Sequence, residues 1–186
     1  TRGARRLRVG VFLLGAALGT SLPDWPLSGL LLPGGVADAA GALLGLGLGA
    51  TLLGVVGHWL APHWGFVGGA LLTTAALLGA ALGPTPWPWW VAGLVGAGSG
   101  LYLGTVVAVT DRESHGHEPP GPALLAGLAT GLLLGQCTAM ALGPGIQRLL
   151  LAGLGLGAML LGLGTARPAP TERRLPGWDG RLLLLG

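Results

Sequence analysis

Lysine and asparagine do not occur in this chain of 186 residues, cysteine and tyrosine occur once each, and only 9% of residues are charged. A soluble domain carries about 25% charged residues, so the scarcity of charge excludes an ordinary water-soluble fold. With one cysteine, Cys137, no intramolecular disulfide is possible, and nothing points to an oxidising compartment. Its apolar neighbours predict a small buried filler for Cys137 and no reactive thiol, which would need an electropositive setting. The missing Lys and Asn point to GC-rich coding. A net charge of +3 with few aromatic residues is no nucleic-acid signature, because no basic stripe is interleaved with stacking rings.

What is present is apolar. Hydrophobic residues make up 51% of the chain and mean hydropathy is +0.70, with 38 glycines set inside Leu/Ala/Val runs. That placement rules out a disordered glycine-rich linker and collagen. A membrane-crossing helix needs about 20 apolar residues. Six such segments can be drawn, over 7–32, 38–61, 64–82, 89–110, 122–142 and 149–166. The first would have to continue, kinked, through Pro23 and Pro26 to reach spanning length. Asp38 is placed to cap the second. The fold class expected is an all-α membrane protein, a six-helix glycine-rich bundle. It is organised as an Arg-rich N-terminus over 1–8, a bundle over 9–166 and a Pro/Arg-rich tail over 167–186. The start resembles a signal peptide but lacks a small-residue cleavage site.

All ten basic residues are arginine. Arg2, Arg5, Arg6 and Arg8 precede the first long apolar run, Arg112 follows the fourth segment, and Arg167, Arg173, Arg174 and Arg181 follow the sixth. Six crossings put all of these on one side and leave only Arg148 opposite, as the retention of basic residues in the cytoplasm requires. Both termini and the 111–121 loop are therefore expected to be cytoplasmic, in the inner membrane of a prokaryote. Tryptophans mark both interfaces: Trp59 and Trp64 inside, and Trp25, Trp87, Trp89 and Trp90 outside. Glycine recurs every four residues at Gly15/Gly19, Gly41/Gly45/Gly49, Gly96/Gly100/Gly104, Gly127/Gly131/Gly135 and Gly153/Gly157. Such ridges let helix backbones approach closely in lipid, where no hydrophobic force drives association.

This order of features resembles the N-terminal six-helix half of a major facilitator superfamily transporter. The resemblance rests on a first helix ending in a Trp/Pro cluster, a glycine-rich second helix and a tight turn after it. It rests also on the run from Gly96 through Ser99 and Tyr102 to Gly104 before a charged loop, and on Ala139-Met-Ala-Leu-Gly143-Pro144. The family's turn signature is Gly-x-Leu-Ala-Asp-Arg-x-Gly; here Leu60, Ala61 and Gly65 fit, while Pro62 and His63 stand where the gate charges would be. With His58, these are the gate-turn positions. The resemblance implies a secondary transporter of small solutes, or half of one, rocking against a second six-helix half. The alternative is a non-transporting, half-size subunit that packs against a larger membrane complex and stabilises or assembles it.

Polar residues within the spans are few. Asp24 is the candidate proton-coupling group, against a wet cap at the outer surface. Ser99 and Tyr102 could face a polar cavity, although Ser in a glycine-rich helix commonly bonds its own backbone. Gln136 is read as the one amide within a span, with interhelical bonding ahead of solute contact. Ser99 and His58 stand at different depths, about 15 Å apart along the helix axes, too far for a nucleophile and its base. No enzyme activity, cofactor or metal is expected, and His115, His117 and Glu118 read as a solvated loop. Bilayer lipid and other membrane subunits are the expected partners. Finally, 181–186 (Arg-Leu-Leu-Leu-Leu-Gly) reads as the opening turn of a seventh span, so its leucines are expected against a helix, another chain or lipid.

Overall fold

The computed structural model describes residues 2–21, 35–82, 89–112 and 121–165, all but a few of them helical. The helices are α1 (Arg2–Ser21), α2 (Gly35–Trp59), α3 (Pro62–Leu82), α4 (Trp89–Arg112), α5 (Gly121–Leu142) and α6 (Pro144–Thr165). Five of them, α2 to α6, are long and apolar enough to cross a bilayer. α1 has the length, but its first turns hold the arginines. Large apolar side chains cover the outside of the bundle, among them Leu44, Leu48, Leu52, Leu125, Leu133, Leu149 and Leu160. An exterior of this kind would aggregate in water and is at ease in hydrocarbon. The chain is a multi-pass integral membrane protein.

Several boundaries differ from those expected. α1 starts at Arg2 and not at 7, because arginine is a good helix former and the backbone gains bonds by extending. α2 starts at Gly35, so Asp38 lies inside the first turn instead of preceding it. α3 starts at Pro62 and α6 at Pro144, each proline at the first helical position, where its missing N–H costs nothing. α6 is thus five residues longer at its start than the 149–166 segment, and Gln147 and Arg148 belong to it. Gly143 alone connects α5 to α6, with φ at 83°, a left-handed conformation that glycine adopts without strain. The Pro23/Pro26 kink, Asp24, the 113–120 loop and 181–186 lie outside the described residues.

The glycine ridges set the helix pairs. A Cβ added at Gly96, Gly100 or Gly104 of α4 would run into the backbone carbonyls of Leu46, Ala50 and Gly54 in α2. From the other side, Gly49 and Gly57 of α2 meet the carbonyls of Gly93 and Leu101. α1 and α5 repeat the device: Gly127, Gly131 and Gly135 lie on Phe12, Ala16 and Thr20, while Gly15 and Gly19 lie on Leu124 and Leu128. Residue numbers rise together in both pairs, so α2 runs parallel to α4 and α1 parallel to α5. α3 is antiparallel to α4, through Gly65 on Thr105 and Gly69 on Tyr102, and antiparallel to α6, through Thr74 on Gly155 and Phe66 on Gly162. α1 is antiparallel to α6. The helices therefore alternate in direction, as successive crossings must.

The expected Gly153/Gly157 ridge does not form. Gly153 meets nothing within 4 Å and Gly157 meets only the end of the Leu13 side chain, whereas Gly155 and Gly162 lie close against Thr74 and Phe66 of α3. Gly155 and Gly162, two turns apart, face α3 from the side of α6 opposite to the one Gly153 and Gly157 mark.

The main pairings are α1 with α5 and α6, α4 with α2 and α3, and α3 with α6. Exchanging α1 for α4, α2 for α5 and α3 for α6 returns the same set. Because α1 and α4 run in opposite directions, the two three-helix units are related as an inverted repeat. α1, α3, α4 and α6 form the centre, and α2 and α5 are the flanks.

Candidate functional site

The centre is packed in two apolar layers. Leu7, Val11, Leu14, Phe66, Ala70, Tyr102, Val106 and Ala158 form the one nearer the arginines; Ala17, Ala76, Leu77, Ala80, Val91, Val95 and Leu151 form the other. Between and within them sit the buried hydroxyls. Ser99 Oγ donates to its own helix, 2.8 Å from the carbonyl of Val95 with that of Gly96 at 3.1 Å. Thr73 bonds the Gly69 carbonyl at 2.8 Å. Thr105 Oγ1 lies 2.8 Å from the Leu101 carbonyl and 3.2 Å from that of Gly57 in α2. Thr20 does the same at the other end, 2.7 Å from Ala16 and 3.3 Å from Gly131 of α5. Each hydroxyl is satisfied by backbone one turn below it, as lipid-embedded Ser and Thr commonly are.

Tyr102 differs in that its hydroxyl bonds another helix and not its own. Its ring is fully buried, edge-on to Phe66 with centroids 5.1 Å apart, and its Oη donates to the Ala158 carbonyl of α6 at 2.8 Å. Gly10 of α1 leaves the space for that hydroxyl; any Cβ there would crowd it. Residues from α1, α3, α4 and α6 thus meet at one phenol, where the two three-helix units touch. It serves as a strut: an aromatic body fills the core and one directed bond fixes the register of α4 on α6.

The residues singled out from sequence are not brought together. Ser99 and Tyr102 are both buried but bond to different partners. Gln136 projects from α5 away from the bundle, exposed. Cys137 beside it is exposed too, contrary to the expected buried filler. In lipid an apolar neighbourhood marks the outer surface as readily as the core. His58 and His63 are exposed at the α2–α3 turn, His58 edge-on to Trp59 and His63 tilted against Trp64. Pro62 opens α3, and the carbonyl of Ala61 caps it, accepting from the N–H groups of Trp64 at 3.0 Å and Gly65 at 3.2 Å. Gly65 is buried against Thr105. The α2–α3 turn is therefore fixed by proline, a backbone cap and close packing.

Gln147 is a second amide within a span, because α6 begins at Pro144 and not at 149. Its Nε2 donates to the carbonyl of Thr20 at 3.0 Å, satisfying one of the last carbonyls of α1. The signal available was Pro144, a helix-starting residue three positions before it. Among the described residues no three His, Cys, Asp or Glu side chains come together. Compared with family models, curated proteins and solved structures, the chain shows no significant match.

Proposed function

We propose that this chain forms one six-helix half of a secondary transporter of small solutes, organised like a major facilitator half and working by alternating access. The observation that carries the reading is the inverted repeat of helix pairings. Transporters built this way place solute and coupling-ion sites near the midplane, between bundles that rock as bodies. The glycine-zipped pairs α2/α4 and α1/α5 suit such rigid movement, since backbone-to-backbone contact leaves little to deform. The dry, self-satisfied interior supports a solute site on a face shared with a second bundle. Asp24 is the group proposed for proton coupling, and the arginine distribution supports a reading with both termini in the cytoplasm of a prokaryotic cell.

The test is uptake by proteoliposomes under an imposed pH gradient, using radiolabelled panels of sugars, amino acids and organic cations. One class should accumulate, and Asp24→Asn should abolish its gradient-driven uptake. No accumulation of any class would favour the second reading, a non-transporting subunit of a larger membrane complex. Pro62 and His63 at the gate positions support that alternative. Its own test is stoichiometric co-purification with larger membrane proteins, whose assembly falls when this chain is removed. Orientation is checked separately in a Cys137→Ser background: Ser114→Cys should be labelled only from the cytoplasmic side.

A further inference from the structure

Gln136 is a polar group in the wrong place for an isolated bundle. It is exposed and makes no hydrogen bond among the described residues. It stands about 9 Å along α5 from the helix end at Leu142, at 1.5 Å per residue. The large side chains exposed between it and that end are apolar, Met140 at 87% and Leu142. A glutamine amide has two N–H donors and a carbonyl, and leaving them unpaired in hydrocarbon is costly.

The residues around it make a seam. Ala126, Ala129, Leu133, Gln136 and Met140 alternate three and four apart and are all exposed. On a helix that spacing is one stripe, the a/d pattern of a left-handed helix pair, with two alanines permitting close approach at one end. The stripe lies opposite the face by which Gly127, Gly131 and Gly135 hold α1, so nothing in the bundle competes for it.

We infer that α5 pairs through this stripe with α5 of a second copy of the chain, parallel in the membrane, with Gln136 bonded to Gln136 across the two-fold axis. Chemistry selects the occupant. Two copies inserted the same way present the amide at the same depth, and an amide is donor and acceptor at once, so each satisfies the other in an isologous contact. Lipid acyl chains offer no such partner. The inference names the second bundle that the transport reading needs, and rests on that reading to this extent; the unmet amide stands independently of transport.

Cys137, next to Gln136 and the single thiol of the chain, reports the contact directly. Membranes containing the wild-type chain, treated with a short bis-maleimide, should give a covalent dimer. Gln136→Leu should weaken association about three- to tenfold, the size of an interhelical polar contact in lipid, whereas Gln136→Asn should retain part of it. Wild type without crosslink, equal crosslinking of Gln136→Leu, or a covalent adduct only with a different protein would each overturn the inference. Uptake is scored separately on the same samples. Loss of uptake in Gln136→Leu with the dimer intact would assign the amide to solute contact, and so remove the seam while leaving transport standing.

Discussion

α2 and α4 are composed of the same few residues and are zipped together along their length, yet they occupy opposite environments. α2 is the more apolar, with mean hydropathy 1.9 against 1.6 over their apolar windows, and only 11% of its window is buried against 61% for α4. In a water-soluble protein the order would be reversed, since apolar residues gather inside. Here the solvent is as apolar as leucine, so leucine is indifferent to position and small residues decide which face packs. Both helices carry glycine at four-residue spacing. On α4 the glycines face α2, and Gly65, Thr73 and Tyr102 bring α3 and α6 against its other sides. On α2 the remaining faces hold Leu44, Leu48, Leu52 and Val55 and meet lipid.

The largest test of this contrast removes a big side chain from each helix. Tyr102→Ala should destabilise the bundle by about 4 kcal/mol, the cost of an aromatic cavity, whereas Leu52→Ala should cost under about 1 kcal/mol because its neighbours are acyl chains. Thermal melts in one detergent would read both; equal losses would end the claim that α2 is a lipid-facing flank. Next comes insertion. Gly100→Leu pushes a side chain into the backbone of Ala50 and should cost about 3 kcal/mol, while Gly47→Leu, with nothing within 4 Å of its Cβ, should stay within about 0.5 kcal/mol. Retained resistance to detergent unfolding in Gly100→Leu would contradict the zipper.

Smaller effects sharpen the picture of the hydroxyls. Tyr102→Phe keeps the packing and loses the bond to Ala158, so about 0.6–1.7 kcal/mol should go, consistent with interhelical hydrogen bonds in lipid. Ser99→Ala should change stability by only a few tenths of a kcal/mol, since its bond stays within one turn of its own helix. If the two variants lost equal stability, Tyr102 would be no more a strut than Ser99 is.

Six helices, a membrane setting and three of the packing ridges were legible from residue spacing, because spanning length and close backbone approach are both local requirements. Gly15/Gly19, Gly96/Gly100/Gly104 and Gly127/Gly131/Gly135 pack as their repeat announced. Gly153/Gly157 does not, since a repeat states that a face is smooth and never which neighbour uses it. The same limit misplaced Cys137 and delayed Gln147: hydropathy along the chain is blind to the direction a side chain takes around its helix.

By itself, then, the sequence determined that this chain lives in lipid, in helices about one bilayer long, with most of its arginine before the first and after the last of them. These follow from transfer energies of single residues and from charge retention, which need no knowledge of neighbours. Only the tertiary structure decided that α4 is central and α2 a flank, and that the first and last three helices form an inverted repeat. It alone decided that Tyr102 ties α4 to α6, and that Gln136 looks outward with its amide unmet. In hydrocarbon no burial energy distinguishes one apolar face from another, so these choices rest on van der Waals fit and directed hydrogen bonds between segments far apart in the chain.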